Sequence, residues 1–126
     1  MKALIITDGT DSIKSIAKLI KESLKGIKTT VCSADKFEGT DLLAADVFFI
    51  GCQNPSPSSF SYLEEILAHI NLAARKCGIF SDNSKVIKYL KGIVKDCEAA
   101  TAELLVENIA KIKKSDINKL IKELKI

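Results

Sequence analysis

Short uninterrupted apolar runs alternate along this chain with longer segments whose apolar residues return every three or four positions, and few architectures accept that rhythm. Ala3-Leu4-Ile5-Ile6 is the first run, and it stops in the turn cluster Thr7-Asp8-Gly9-Thr10-Asp11-Ser12, as a strand covered on both faces does. Ile13, Ile16, Ala17, Ile20 and Leu24 then recur at helical spacing, with Lys14, Lys18, Lys21 and Lys25 opposite them. This pattern predicts an amphipathic helix ending near Gly26. Residues 28–33 are β-branched and half polar, as in an edge strand, and residues 35–45 read as a loop with at most a helical turn around Leu42. Residues 46–52, apolar without alternation, are expected at the centre of the sheet.

The segment Gln53-Asn54-Pro55-Ser56-Pro57-Ser58-Ser59 holds both prolines of the chain and must be a loop. Leu63, Ile66, Leu67, Ile70 and Ala74 predict the next helix, residues 76–81 a fourth strand, and Ser81-Asp82-Asn83-Ser84 a turn with a helix cap. Val86, Ile87, Leu90, Ile93 and Val94 mark another helical face. Residues 102–106 read as a short fifth strand, and Ile117, Leu120, Ile121 and Leu124 as a last helix capped by Ser115. Strands and helices alternating at these lengths require parallel pairing through helical crossovers, with helices on both faces of the sheet. The expected class is α/β, three layers deep, in one domain covering residues 1–126. Ligands of such sheets bind beyond the carboxyl ends of the strands, which directs attention to loops 7–12, 53–59 and 81–85.

Nineteen Lys and Arg against sixteen Asp and Glu leave a net charge of +3, too small to imply a nucleic-acid surface. The excess is uneven: residues 1–84 hold nine bases and ten acids, residues 85–126 ten lysines and six acids. No apolar run approaches the ~20 residues of a membrane span, so the expectation is a cytoplasmic protein without a membrane partner. Cys32, Cys52, Cys77 and Cys97 form no CxxC pair and have one histidine between them, which argues against zinc and for reduced core thiols. That histidine, His69, is expected on the solvated surface.

The first loop opens a helix, where free N–H groups and the positive dipole end favour a phosphate, and Thr7, Thr10 and Ser12 add hydroxyls. The same hydroxyls also suit ordinary helix caps. Taken together, KALIIT with its hydroxyl-rich turn, LLAADVFFIGC before a Pro/Ser loop, SYLEEILAHI, KCGIFSDNS and a terminal helix resemble the flavodoxin-like family over nearly the whole chain.

That resemblance implies a five-stranded parallel sheet ordered 2-1-3-4-5. It also implies flavin mononucleotide (FMN) held non-covalently by the loops after strands 1, 3 and 4, and a role in electron transfer. Carried onto this chain, the cofactor-binding residues would be Thr7, Asp8, Gly9, Thr10, Asp11 and Ser12, then Gln53, Asn54, Pro55 and Ser56, then Ser81, Asp82 and Asn83. The family's phosphate loop reads [ST]-x-T-G-x-T. Here Thr7 and Ser12 match its ends, Gly9 stands where a hydroxyl is expected, and Thr10 stands in place of the glycine. Asp8 and Asp11 bring two carboxylates to a site meant for an anion. The second loop lacks the family's aromatic ring, with Phe60 and Tyr62 following as either flavin contacts or core anchors. Family members are also usually longer and acidic.

Other chemistries lack their key residues. A receiver domain needs an acceptor Asp where this chain has Gly51-Cys52, and the nucleophilic Asp of haloacid-dehalogenase phosphatases would fall on Ile6. Cys52, at a strand end, is a conceivable nucleophile if its pKa is lowered. Two readings stand: an FMN-binding electron carrier with an unidentified redox partner protein, and a flavin-free module for protein interaction or homodimerisation.

Overall fold

The computed structural model describes residues 1–108 and 111–126. Its elements run β1 (Lys2–Thr7), α1 (Asp11–Ser23), β2 (Lys28–Ser33), α2 (Gly39–Ala44), β3 (Val47–Gly51), α3 (Ser61–His69), β4 (Lys76–Ser81), α4 (Ser84–Lys95), β5 (Ala100–Leu105) and α5 (Lys114–Glu123). The strands form one five-stranded sheet in the order β2-β1-β3-β4-β5, and every pairing is parallel. Both the class and the strand order expected from the sequence are therefore present. No described helix is long and apolar enough to cross a membrane.

Strand position follows from side-chain type. β3 is buried along its whole length because helices cover both of its faces, whereas β2 at the edge keeps Lys28, Thr30 and Val31 exposed. One core layer packs Leu4, Ile6, Phe48, Ile50 and Ile79 under α2, α3 and α4 through Leu42, Leu63, Leu67, Val86, Leu90 and Val94. The other sets Ile5, Phe49 and Phe80 against Ile13, Ile16 and Ile20 of α1 and Ile117, Leu120 and Leu124 of α5. Phe60, caught in a 3₁₀ turn before α3, is fully buried, and Tyr62 is 43% exposed with its hydroxyl 3.3 Å from the Gly39 N–H.

Several boundaries differ from expectation, beginning with β5, read over residues 102–106 and found at Ala100–Leu105. The helical stripe drawn to Ala74 stops at His69, because the Asn71 side chain accepts the Ala73 N–H at 3.0 Å and the Leu72 N–H pairs with the Cys97 carbonyl at 2.7 Å. A local Asx turn and a tertiary bond outcompete another helical turn there. Ser115 does not cap α5: it lies in the first turn, and the Asp116 carboxylate accepts the Lys113 N–H at 3.2 Å instead. The stretch read as loop around Leu42 closes into the six-residue α2. An open groove of about 240 Å3 lies beside β2, bordered by Lys2, Lys28, Lys36 and Phe37.

Candidate functional site

All five strands run parallel, so the loops after β1, β3 and β4 meet at one edge of the sheet. β1 and β3 are neighbours whose next connections leave in opposite directions, which opens a crevice between those loops. Gly9 turns the chain out of β1 with φ 83°, a left-handed backbone that a side chain would strain. The Gly9 N–H reaches back to the buried Thr7 Oγ1 at 3.2 Å.

Asp8 then organises the crevice. One carboxylate oxygen accepts both the Thr10 N–H at 3.0 Å and the Thr10 hydroxyl at 2.6 Å, and the other accepts the Gln53 N–H at 2.8 Å across the crevice. The Gln53 side chain extends to Asp82 at 3.5 Å, so one residue faces all three loops. Asp8→Asn leaves a single acceptor oxygen for three donors. Charge-assisted hydrogen bonds contribute about 1.5–3 kcal/mol each, so we expect a loss of about 2 kcal/mol in urea denaturation; an unchanged midpoint would deny Asp8 this bridging role.

The predicted hydroxyls divide sharply. Thr10 sits at the N-cap of α1, but its side chain makes no cap bond because Asp8 holds it. The Ser12 Oγ, inside the first turn of α1, is buried with no hydrogen-bond partner. The first-turn N–H groups beside it have no intrahelical acceptor. Asp11 is exposed at the mouth. In the third loop the Ser81 hydroxyl is buried and committed: it donates to the Cys52 carbonyl at 2.7 Å and accepts the Asn83 N–H at 3.2 Å. Asn83 caps α4 by accepting the Lys85 N–H at 3.0 Å. Asn54, Pro55 and Ser56 lie exposed on the second loop, where Ser56 takes a left-handed backbone (φ 48°).

Sequence reasoning missed one cluster. Tyr89 of α4 donates a hydrogen bond to Glu64 of α3, and Ser56 Oγ lies 3.4 Å from the same carboxylate oxygen, so the second loop is tied to two helices. The only signal was a polar-tipped aromatic among the apolar positions of α4, a residue type that seeks a partner when half-buried. Phe60 and Tyr62, the aromatics singled out from the sequence, do not fill this place: one is core, and the other packs on Phe37.

Burial, reinforced by the negative charges of Asp8, Asp82 and Glu64, pushes the Cys52 thiol up to about 12. The lowered pKa that a nucleophile would need is therefore absent, and Cys52 is a core thiol. Burial likewise holds Cys77 well above the ordinary thiol value, and burial with the Glu64 hydrogen bond raises the Tyr89 phenol. Folding thus favours the neutral forms, while the unfolded chain ionises near the ordinary 9.0 and 10.0. Stability contributed by these groups is complete below the unfolded values and declines as pH rises toward the folded ones. Urea midpoints are expected to agree between about pH 7 and 8 and to fall by about pH 10; a flat profile would contradict the assignment. His69 is exposed, all four cysteines are free, and no cluster suited to a metal occurs among the described residues.

No protein-family model and no curated protein matches the chain. Solved structures do. A flavodoxin from Streptococcus pneumonia TIGR4 superposes with TM-score 0.75 at 15% identity, covering 99% of this chain and 96% of that one. A short-chain flavodoxin associated with a PDU bacterial microcompartment gives 0.73 at 11% identity, over 98% and 99% of the two chains. An azoreductase from Bacillus anthracis gives 0.61 at 10% identity, over 98% and 96%. With its parallel sheet ordered 2-1-3-4-5, helices on both faces and end-to-end superposition on flavodoxins, this chain has the flavodoxin-like fold.

Proposed function

We propose that this protein is a small electron carrier that binds FMN non-covalently at the carboxyl edge of its sheet. One observation carries the reading: the buried, unpartnered Ser12 Oγ stands beside the unsatisfied N–H groups of α1. A buried hydroxyl without a partner is costly, and a donor set of hydroxyl and helix N-terminus fits a phosphate group. Ser12 and the first turn of α1 would hold that phosphate, while Gln53, Asn54 and Asp82 would line the crevice where the ring system would lie. When bound, FMN would supply one- or two-electron transfer, which no side chain in the crevice can provide. The flavodoxin and azoreductase neighbours support this choice through their shared fold.

Asp8 bears on the phosphate directly. Its oxygens are already turned to Thr10 and Gln53, so it draws the first two loops together while adding negative charge near the site. The same bonds favour the second reading, a flavin-free interaction module, because they occupy donors that a ligand would otherwise use. Titration of the purified protein with FMN, followed by quenching of flavin fluorescence, separates the two. Uptake at one equivalent with a shifted visible spectrum is the expected result, and a colourless protein that takes up no flavin leaves the interaction module. The free thiols suit a reducing, cytoplasmic setting.

A further inference from the structure

The net charge of +3 conceals a strong segregation that only the packing reveals. α1 and α5 lie side by side on one face of the sheet. With their flanking residues, 11–25 and 111–126, they carry ten lysines and four acids, a formal +6, so the remainder of the chain carries −3. All ten lysines are exposed, and none makes an ion pair among the described residues, where the single pair found is Lys91–Glu103 on the other side. Six of these like charges are held on the two helices and four on the residues that flank them; they repel one another and destabilise the free protein somewhat, a cost relieved when an anionic surface covers them.

We propose that the α1–α5 face is a docking surface for an acidic protein. The inference is independent of flavin binding. The character of the face selects the class of partner. Its cations are all lysines, interspersed with the exposed acids Asp11, Glu22, Asp116 and Glu123, without the arginine forks or exposed aromatic rings that grip phosphates and bases; the chain's one arginine, Arg75, bonds the Leu43 carbonyl in the opposite layer. No apolar residue of α1 or α5 is exposed, so the face has nothing to insert into a bilayer. Dispersed point charges on a firm, polar, two-helix surface match dispersed carboxylates on another folded surface, an arrangement that steers encounter at long range.

The test uses the isotope-labelled full chain with poly-L-glutamate as the acidic probe. Backbone shift changes are expected along α1 and α5 and to disappear as salt screens the charges. The variant Lys14→Gln/Lys18→Gln/Lys119→Gln/Lys122→Gln should bind at least about tenfold more weakly, whereas Lys85→Gln/Lys88→Gln/Lys91→Gln/Lys95→Gln on α4, with the same net charge, should lose less than about twofold. Equal losses in the two variants would show an effect of overall charge and overturn the proposal. So would tighter binding of a DNA duplex, or of phosphatidylcholine vesicles containing about 30% phosphatidylserine, than of the acidic polypeptide. Salt-sensitive self-association abolished by the first variant would instead assign the face to a second copy of the chain.

Discussion

Gly78→Ala is expected to cost about 3 kcal/mol, lowering the melting temperature by roughly 10 °C or more. A Cβ on Gly78 would lie 2.3 Å from Cδ2 of Phe49 and 3.3 Å from Cδ1 of Leu124. The clash has a twin: a Cβ on Gly51 would lie 2.3 Å from Cε2 of Phe80. In the register of the two central strands Phe49 pairs with Gly78 and Gly51 with Phe80, so each strand offers the other's ring a place with no side chain. Both rings are fully buried and closely packed, and neither can swing aside as the tip of a flexible chain would. Gly92→Ala supplies the contrast. Its Cβ would meet nothing within 4 Å, and in the middle of α4 alanine should stabilise by about 0.5–1 kcal/mol. Thermal denaturation of both variants checks the pair; a Gly78→Ala protein as stable as the parent would refute the interlocked packing.

Ser12→Asp is expected to weaken FMN binding by more than about 100-fold, because a carboxylate about 4 Å from a phosphate at an effective dielectric near 20 opposes it by about 4 kcal/mol per charge pair. Folding should survive the change. An aspartate in the first turn of a helix interacts favourably with the macrodipole, which offsets part of the cost of putting a carboxylate where a buried hydroxyl stood, so the melting temperature should fall by no more than a few degrees while binding is lost. Ser12→Ala removes one hydrogen bond and should cost about tenfold in affinity. If flavin binds Ser12→Asp as tightly as the parent, the phosphate is held somewhere other than at α1.

The strands were legible because each central one is an unbroken apolar run, and the helices because their apolar residues repeat at 3.6-residue spacing. Asn71, which ends α3 early, was harder to read: its Asx turn is local, but the Leu72 to Cys97 bond that secures it spans distant parts of the chain. The candidate site was legible as three loops, since parallel strands must deliver their carboxyl ends to one edge. Its internal chemistry was not. Thr7, Thr10 and Ser12 look alike in a string of letters, yet Asp8 holds Thr10, Thr7 accepts from Gly9, and Ser12 is left unpartnered. Glu64 and Tyr89 are 25 residues apart and meet because α3 and α4 pack together.

By itself the sequence determined the α/β class, the central place of β3, the edge place of β2, and the edge of the sheet at which the three loops meet, because these depend on the local periodicity of apolar side chains. Only the tertiary structure decided which hydroxyl stays uncommitted, where Asp8 points, how two phenylalanines rest on two glycines, and that ten lysines share one face. Those outcomes depend on distances between residues remote in the chain, and no pattern of neighbours along the chain records such distances.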